Sequence, residues 1–184
     1  MSIPILNTME IRRAKTKDSK RIIEIIKSIH FNNNDNNKKN GFLATKDLSE
    51  KTYQEKINNY DYCYVCEINN RIVGFLIAST SNLIKKTHEI YHFLSRVNSL
   101  KDFIYIFQIG ISSDYQRKGI ATLLYNQLFK DAKINNLTVI SSKNPFNQAS
   151  REFHLRLGFE DVGVFKWSDG VESYVYNLKI KTRN

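Results

Sequence analysis

The run Ile109-Gly110-Ile111-Ser112-Ser113-Asp114-Tyr115-Gln116-Arg117-Lys118-Gly119-Ile120-Ala121 passes from an apolar strand through a short basic turn into a helix. That order makes an anion site. The first amides of a helix have no partner within it, the helix dipole favours negative charge there, and Gly119 allows close approach. The natural guest is a pyrophosphate. The spacing Gly-x-x-x-x-Gly-Lys-Ser/Thr of a nucleotide-hydrolysing loop is absent, as are the glycines of the dinucleotide fingerprint. Downstream, a helix is expected over 147–157. At about 100° per residue, Asn147, Ser150, Arg151 and His154 share one stripe, and Ala149, Phe153 and Leu157 share another. The apolar stripe is expected in the core, and the polar one is free to face a ligand. Gly110 interrupts a β-branched and aromatic strand, which marks either a close backbone approach or a packing contact.

The pattern Gln116-x-x-Gly119-x-Ala121 after such a strand resembles the acyl-CoA signature of the GNAT superfamily of N-acyltransferases. A second motif, Asn147-x-x-Ser150-x-x-Phe153-His154-x-Arg156-Leu157-Gly158-Phe159, is similar to that family's later helix and strand. With Phe-His where Leu-Tyr is usual, the chain also resembles a small group of bacterial members. The resemblance covers about residues 9–180. It implies an α/β fold of the α+β kind, with a mostly antiparallel mixed sheet splayed at strands four and five and helices on both faces. It also implies acetyl-CoA as cosubstrate and no metal. Residues 116–121 would hold the pyrophosphate, Asn147 would meet the pantetheine arm, and Ser150 would also belong to the cofactor site. Backbone groups of Ile109 and Ile111, around Gly110, would pair with that arm, one amide polarising the thioester carbonyl. His154 would take the place of the Tyr that protonates the departing thiolate, a role open to imidazole near neutral pH.

The implied reaction is direct attack of an amine on acetyl-CoA through a tetrahedral intermediate. An alkyl amine with a pKa near 10 must first lose a proton. Members of the family often carry a Glu on the strand before the cofactor turn, and the stretch 103–108 has no carboxylate. Glu89, His88 and His92 from an insertion, Glu67 on an earlier strand, or a water chain are the alternatives. Tyr105 lines the site or sits in the core, and Trp167 covers the acceptor or packs locally.

The elements that position these residues are legible in the pattern. A strand at 9–14 leads, with Thr16 and Asp18 as capping residues, into a helix carrying Ile22, Ile23, Ile25, Ile26 and Ile29. An Asn-rich loop fills 32–41, and a second helix is expected at about 46–58. Strands 62–68 and 71–79 flank Asn69-Asn70, a dipeptide suited to a tight hairpin. An inserted helix is expected at about 82–100, then a strand at 103–111, a helix to about 134 and a strand at 137–141. After the helix at 147–157, a closing hairpin joins 159–165 to 171–180. Cys63 and Cys66, three apart on a strand, fall on opposite faces and are read as filling rather than as a redox or metal pair.

The chain has 184 residues, 41% hydrophobic and 25% charged, which suits one folded domain over 1–184 and excludes collagen, coiled coil and wholesale disorder. Lys and Arg number 28 against 18 Asp and Glu, a net charge of +10 that attracts anions. With no membrane-length apolar run and no secretory start, a cytoplasmic location is expected. The expected acceptor is a small amine, with a protein or aminoacyl-tRNA acceptor, or a non-catalytic acyl-CoA sensor, as alternatives. A homodimer is compatible with the family, and no interface is readable.

Overall fold

The computed structural model describes residues 8–30, 47–84, 88–99, 101–144 and 146–180. Strand β1 (Met9–Arg13) runs into a 3-10 turn and helix α1 (Ser19–Ser28), whose Ile22, Ile23, Ile25 and Ile26 are all buried. Asp18 holds the entry to α1, its carboxylate accepting from the Lys15 amide at 2.7 Å. Helix α2 (Glu50–Asn59) starts where the Ser49 hydroxyl accepts from the Thr52 amide. Strands β2 (Tyr62–Ile68) and β3 (Arg71–Thr80) meet at Asn69 and Asn70, with φ of 49° and 61°. Two consecutive left-handed residues make the expected tight hairpin turn, a conformation that Asn tolerates.

The helix of the insertion is shorter than the pattern predicts. The insertion holds a 3-10 turn at Ser81–Leu83 and a seven-residue helix α3 (Tyr91–Val97). Asn98 stops that helix by bonding the Leu94 carbonyl and the Thr138 hydroxyl, and Ser99 turns left-handed at φ 54°. The order then runs β4 (Ile104–Ile111), α4 (Ile120–Asp131), β5 (Asn136–Ser142), α5 (Gln148–Arg156), β6 (Glu160–Lys166) and β7 (Glu172–Lys179). The Asn-rich stretch 32–41 lies outside the described residues.

The seven strands form one sheet in the order β1-β2-β3-β4-β5-β7-β6, antiparallel except between β4 and β5. That parallel pairing spans Ile104 to Ile106 against Leu137 to Val139 and then stops, while β4 runs on to Ile111 and β5 to Ser142. The sheet therefore splays between strands four and five, as the family resemblance implied. A register shift against β3 falls at the same place. Ile77 faces Gln108 and Ala78 faces Ile106, so Phe107 is an extra, bulged residue.

Helices cover both faces. On one face Ile104, Ile106 and Cys66 pack with Ile120, Leu124 and Leu128 of α4. On the other, Cys63, Val65 and Phe75 pack with α1 and α2, and Tyr105 and Val175 with α3. The two cysteines thus sit in separate cores, 3% and 0% exposed, and do not form a redox pair.

Candidate functional site

The splay opens a groove of about 1240 Å³ between β4, β5 and the N-termini of α4 and α5. Its mouth is the turn before α4. Arg117 (φ 60°) and Gly119 (φ 80°) are both left-handed, and the first bond inside the helix runs from the Leu123 amide to the Gly119 carbonyl at 3.1 Å. The amides of Ile120, Ala121 and Thr122 therefore lack a helical acceptor and present a positive dipole end. A Cβ built at Gly119 would meet nothing within 4 Å, so the cradle is open to a ligand.

Every cofactor residue named from the sequence lines this groove except Lys118, whose ammonium lies 5.0 Å over the Tyr115 ring. Gln116 is at the rim, and its side-chain amide donates to the Ile111 carbonyl at 3.1 Å, bracing the end of β4. Gly110 serves packing: a Cβ there would come within 2.6 Å of the Phe75 ring and 3.0 Å of Ile29. Asn147 is the N-cap of α5, its side-chain oxygen accepting from the Ser150 amide at 3.0 Å.

Asn147 and Ser150 line the groove and Phe153 and Leu157 pack against the α4 core as the stripes predict, and the departures from the sequence expectation are His154 and Ala149. His154 is 1% exposed, whereas Ala149 is exposed, Phe153 is half-buried and both line the groove. The physical reason is that His154 finds partners inside. Its Nδ1 is 2.7 Å from the Ser150 carbonyl, which can only accept, so Nδ1 carries the hydrogen. Its Nε2 then accepts from the Tyr125 hydroxyl at 2.8 Å. Tyr176 stacks on the ring at 6.0 Å. Burial pushes the imidazole down to about 4, only partly offset by the Ser150 carbonyl. His154 is therefore neutral and fully bonded, a tie between α4 and α5 with no spare N–H for the groove.

The carboxylates and histidines named as proton acceptors are placed elsewhere. Glu89 accepts from the Ser168 amide at 2.9 Å, joining the insertion to the last hairpin, and it does not line the groove. His88 meets Trp167 edge-on at 6.1 Å, and Trp167 packs on Phe165 and donates to Ser173 at 3.0 Å, so the tryptophan packs locally. Glu67 is paired with Arg12 at 2.7 Å. His92 lines a separate pocket of about 440 Å³ with Phe103. Tyr105 is in the core, 7% exposed.

The groove contains polar atoms that sequence reasoning missed. Gln108 Nε2, Ser141 Oγ and Ser142 Oγ are buried without a partner on its walls. The signal for Gln108 was present, a lone amide in an apolar run. The serines became visible only once β5 parted from β4. Among the described residues no cluster of three or more His, Cys, Asp or Glu could hold a metal ion.

A parted sheet with an anion cradle at one end and unpaired polar groups along its walls suits a long phosphorylated ligand lying between two strands. Residues 32–159 match the acetyltransferase (GNAT) family, and the chain belongs to that family. Its members transfer acyl groups from acetyl-CoA. No curated protein is matched by its sequence. Solved structures with this fold include the ribosomal-protein-S18-alanine N-acetyltransferase from Escherichia coli, at 17% identity over 96% of this chain and 97% of that one, TM-score 0.63. Arabidopsis thaliana NAA60 in complex with acetyl-CoA is similar at 19% identity over 94% and 100%, TM-score 0.67. The Drosophila melanogaster polyamine N-acetyltransferase is similar at 12% identity over 94% and 100%, TM-score 0.64.

Proposed function

We propose that the protein transfers an acetyl group from acetyl-CoA to a primary amine by direct attack. The observation that carries this reading is the open left-handed cradle at Gly119, set at the mouth of the β4 and β5 splay. The residues fit the cosubstrate. Free amides at the start of α4 with Arg117 would hold the pyrophosphate, and the unpaired ends of β4 and β5 would flank the pantetheine arm. Acetyl-CoA supplies the electrophilic thioester: the amine nitrogen adds to its carbonyl to give a tetrahedral intermediate, whose collapse breaks the C–S bond, and the amine's proton passes to solvent while the thiolate takes one up. The chain's own part is to bind, align and exclude water. Neither cysteine is placed to carry the acetyl group, because both are buried in the cores. His154 contributes by fixing α5, and thereby Asn147 and Ser150, against α4.

The named structural neighbours act on a protein alanine and on polyamines, acceptors too different to choose between. A sensor that binds acetyl-CoA without turnover is the second reading, favoured by the fully bonded state of His154.

Calorimetric titration of acetyl-CoA decides the first step. Micromolar binding is expected for the wild type. Ala121→Glu places a carboxylate at the helix start without touching the left-handed Gly119, and should abolish binding while leaving the melting temperature near wild type. No binding by folded wild-type protein would sink both readings.

A further inference from the structure

Gln108 is a buried amide with half of its hydrogen-bonding capacity unused. It is 5% exposed, and its Oε1 accepts from the Tyr53 hydroxyl of α2 at 3.0 Å. With Oε1 on the tyrosine, Nε2 is the free end of the amide, which has no partner and belongs to a residue lining the groove. A buried N–H left unmade is costly, so the arrangement suits a donor reserved for a ligand oxygen.

The side from which that oxygen comes follows from the sheet. Ile109 and Ile111 pack with the α4 cluster, on the face of the phosphate cradle. Gln108 and Gly110 look the other way, Gln108 to Tyr53 of α2 and Gly110 to Ile29 just beyond α1. The bulge at Phe107 sets this register. Ser28 and Ile29 line the groove on that same side. Gln108 therefore addresses what enters from the α1 and α2 face, opposite the helix that cradles phosphate.

We infer that Gln108 Nε2 recognises a carbonyl oxygen next to the acceptor nitrogen, so that the acceptor is an α-amino acyl compound, an amino-acid amide or a peptide N-terminus. The inference rests on the acyl-transfer reading and names its substrate class. A neutral carbonyl satisfies a neutral amide donor without bringing a charge into the wall. The acidity of the nucleophile agrees. An α-amino group ionises at about 7.7–8.0 against about 10.4 for an alkyl ammonium, so far more of it is already neutral near pH 7.5. Among the described residues lining the groove the one carboxylate is Glu152, itself bonded by Gln148 at 2.7 Å.

The test compares alaninamide with isopropylamine, similar in shape but lacking the carbonyl, on wild type, Gln108→Met and Tyr53→Phe. Taking the ratio of wild type to variant for each amine cancels the difference in their pKa. Gln108→Met should lower kcat/KM for alaninamide about tenfold more than for isopropylamine, the worth of one hydrogen bond to a buried donor. Tyr53→Phe, which frees the amide to rotate, should shift the ratio the same way by a smaller factor. Equal losses for both amines would overturn the inference and assign Gln108 to the acyl donor. Acetylation of neither amine by a wild type that binds acetyl-CoA would also overturn it. Acetyl-CoA affinity, measured in parallel, separates the cases: its absence in wild type defeats the acyl-transfer reading, and its presence with no selectivity change defeats only this one.

Discussion

His154 shows how a single buried side chain sets a pH dependence. In the folded protein its pKa is lowered to about 4 by burial, against 6.5 for an exposed imidazole. Between those values the unfolded chain binds a proton that the native state refuses. The stabilisation is complete above pH 6.5 and is lost as pH falls toward 4, a change of about 3 kcal/mol from this residue. Urea unfolding from pH 7 to 4 should show that decline, and His154→Gln should flatten it while lowering stability at pH 7. A decline unchanged in the variant would refute the assignment. The thiols behave likewise: burial pushes Cys63 up to about 12, ahead of smaller opposing effects from Arg13 and Lys56. Alkylation by iodoacetamide at pH 8 should be slow in the native protein and fast in urea, and equal rates would contradict the buried placement.

At the scale of elements, β4 carries most of the site because its two ends do different work. Its first residues pair with β5, and beyond the Phe107 bulge it pairs only with β3. Gly110 lets the free half pass Phe75 and Ile29 without collision. Gly110→Ala should cost about 1–3 kcal/mol by overpacking, read from the urea midpoint, and a neutral result would return Gly110 to a ligand role. On the far edge, Arg12 joins β1 to β2 and to the entry of α1, meeting Asp18 and Glu67, each at 2.7 Å. Asp18 is 4% exposed, and although burial raises its pKa, the Arg12 and Lys15 bonds bring it below the ordinary carboxylate value. Arg12→Leu leaves that charge unpaired and should destabilise by about 2 kcal/mol, discounted for the part-exposed guanidinium. The deficit should shrink as the pH is lowered, because a protonated Asp18 no longer leaves a buried charge without its partner.

For the whole molecule, the net charge of +10 adds a long-range attraction to the local cradle. Acetyl-CoA should raise the melting temperature, and its dissociation constant should weaken severalfold from 50 to 500 mM NaCl as the surface field is screened. An affinity indifferent to salt would place the binding energy in the groove walls alone. The sequence by itself determined the order of elements, the Asn69-Asn70 hairpin, the glycine turn into α4 and the family, because each rests on local spacing: helical and strand periods, turn residues, a glycine at a helix start. It also separated Cys63 from Cys66 by strand alternation alone. It misplaced His154 on α5, since a polar histidine reads as surface until Tyr125, 29 residues away, supplies its buried partner. It overextended the insertion helix, which starts only at Tyr91 after a 3-10 turn at Ser81–Leu83. The bulge at Phe107, the orphaned Gln108 amide and the opening between β4 and β5 were decided only by tertiary structure. They arise from register between distant strands and from which buried groups find partners, and neither is written in any local run of residues.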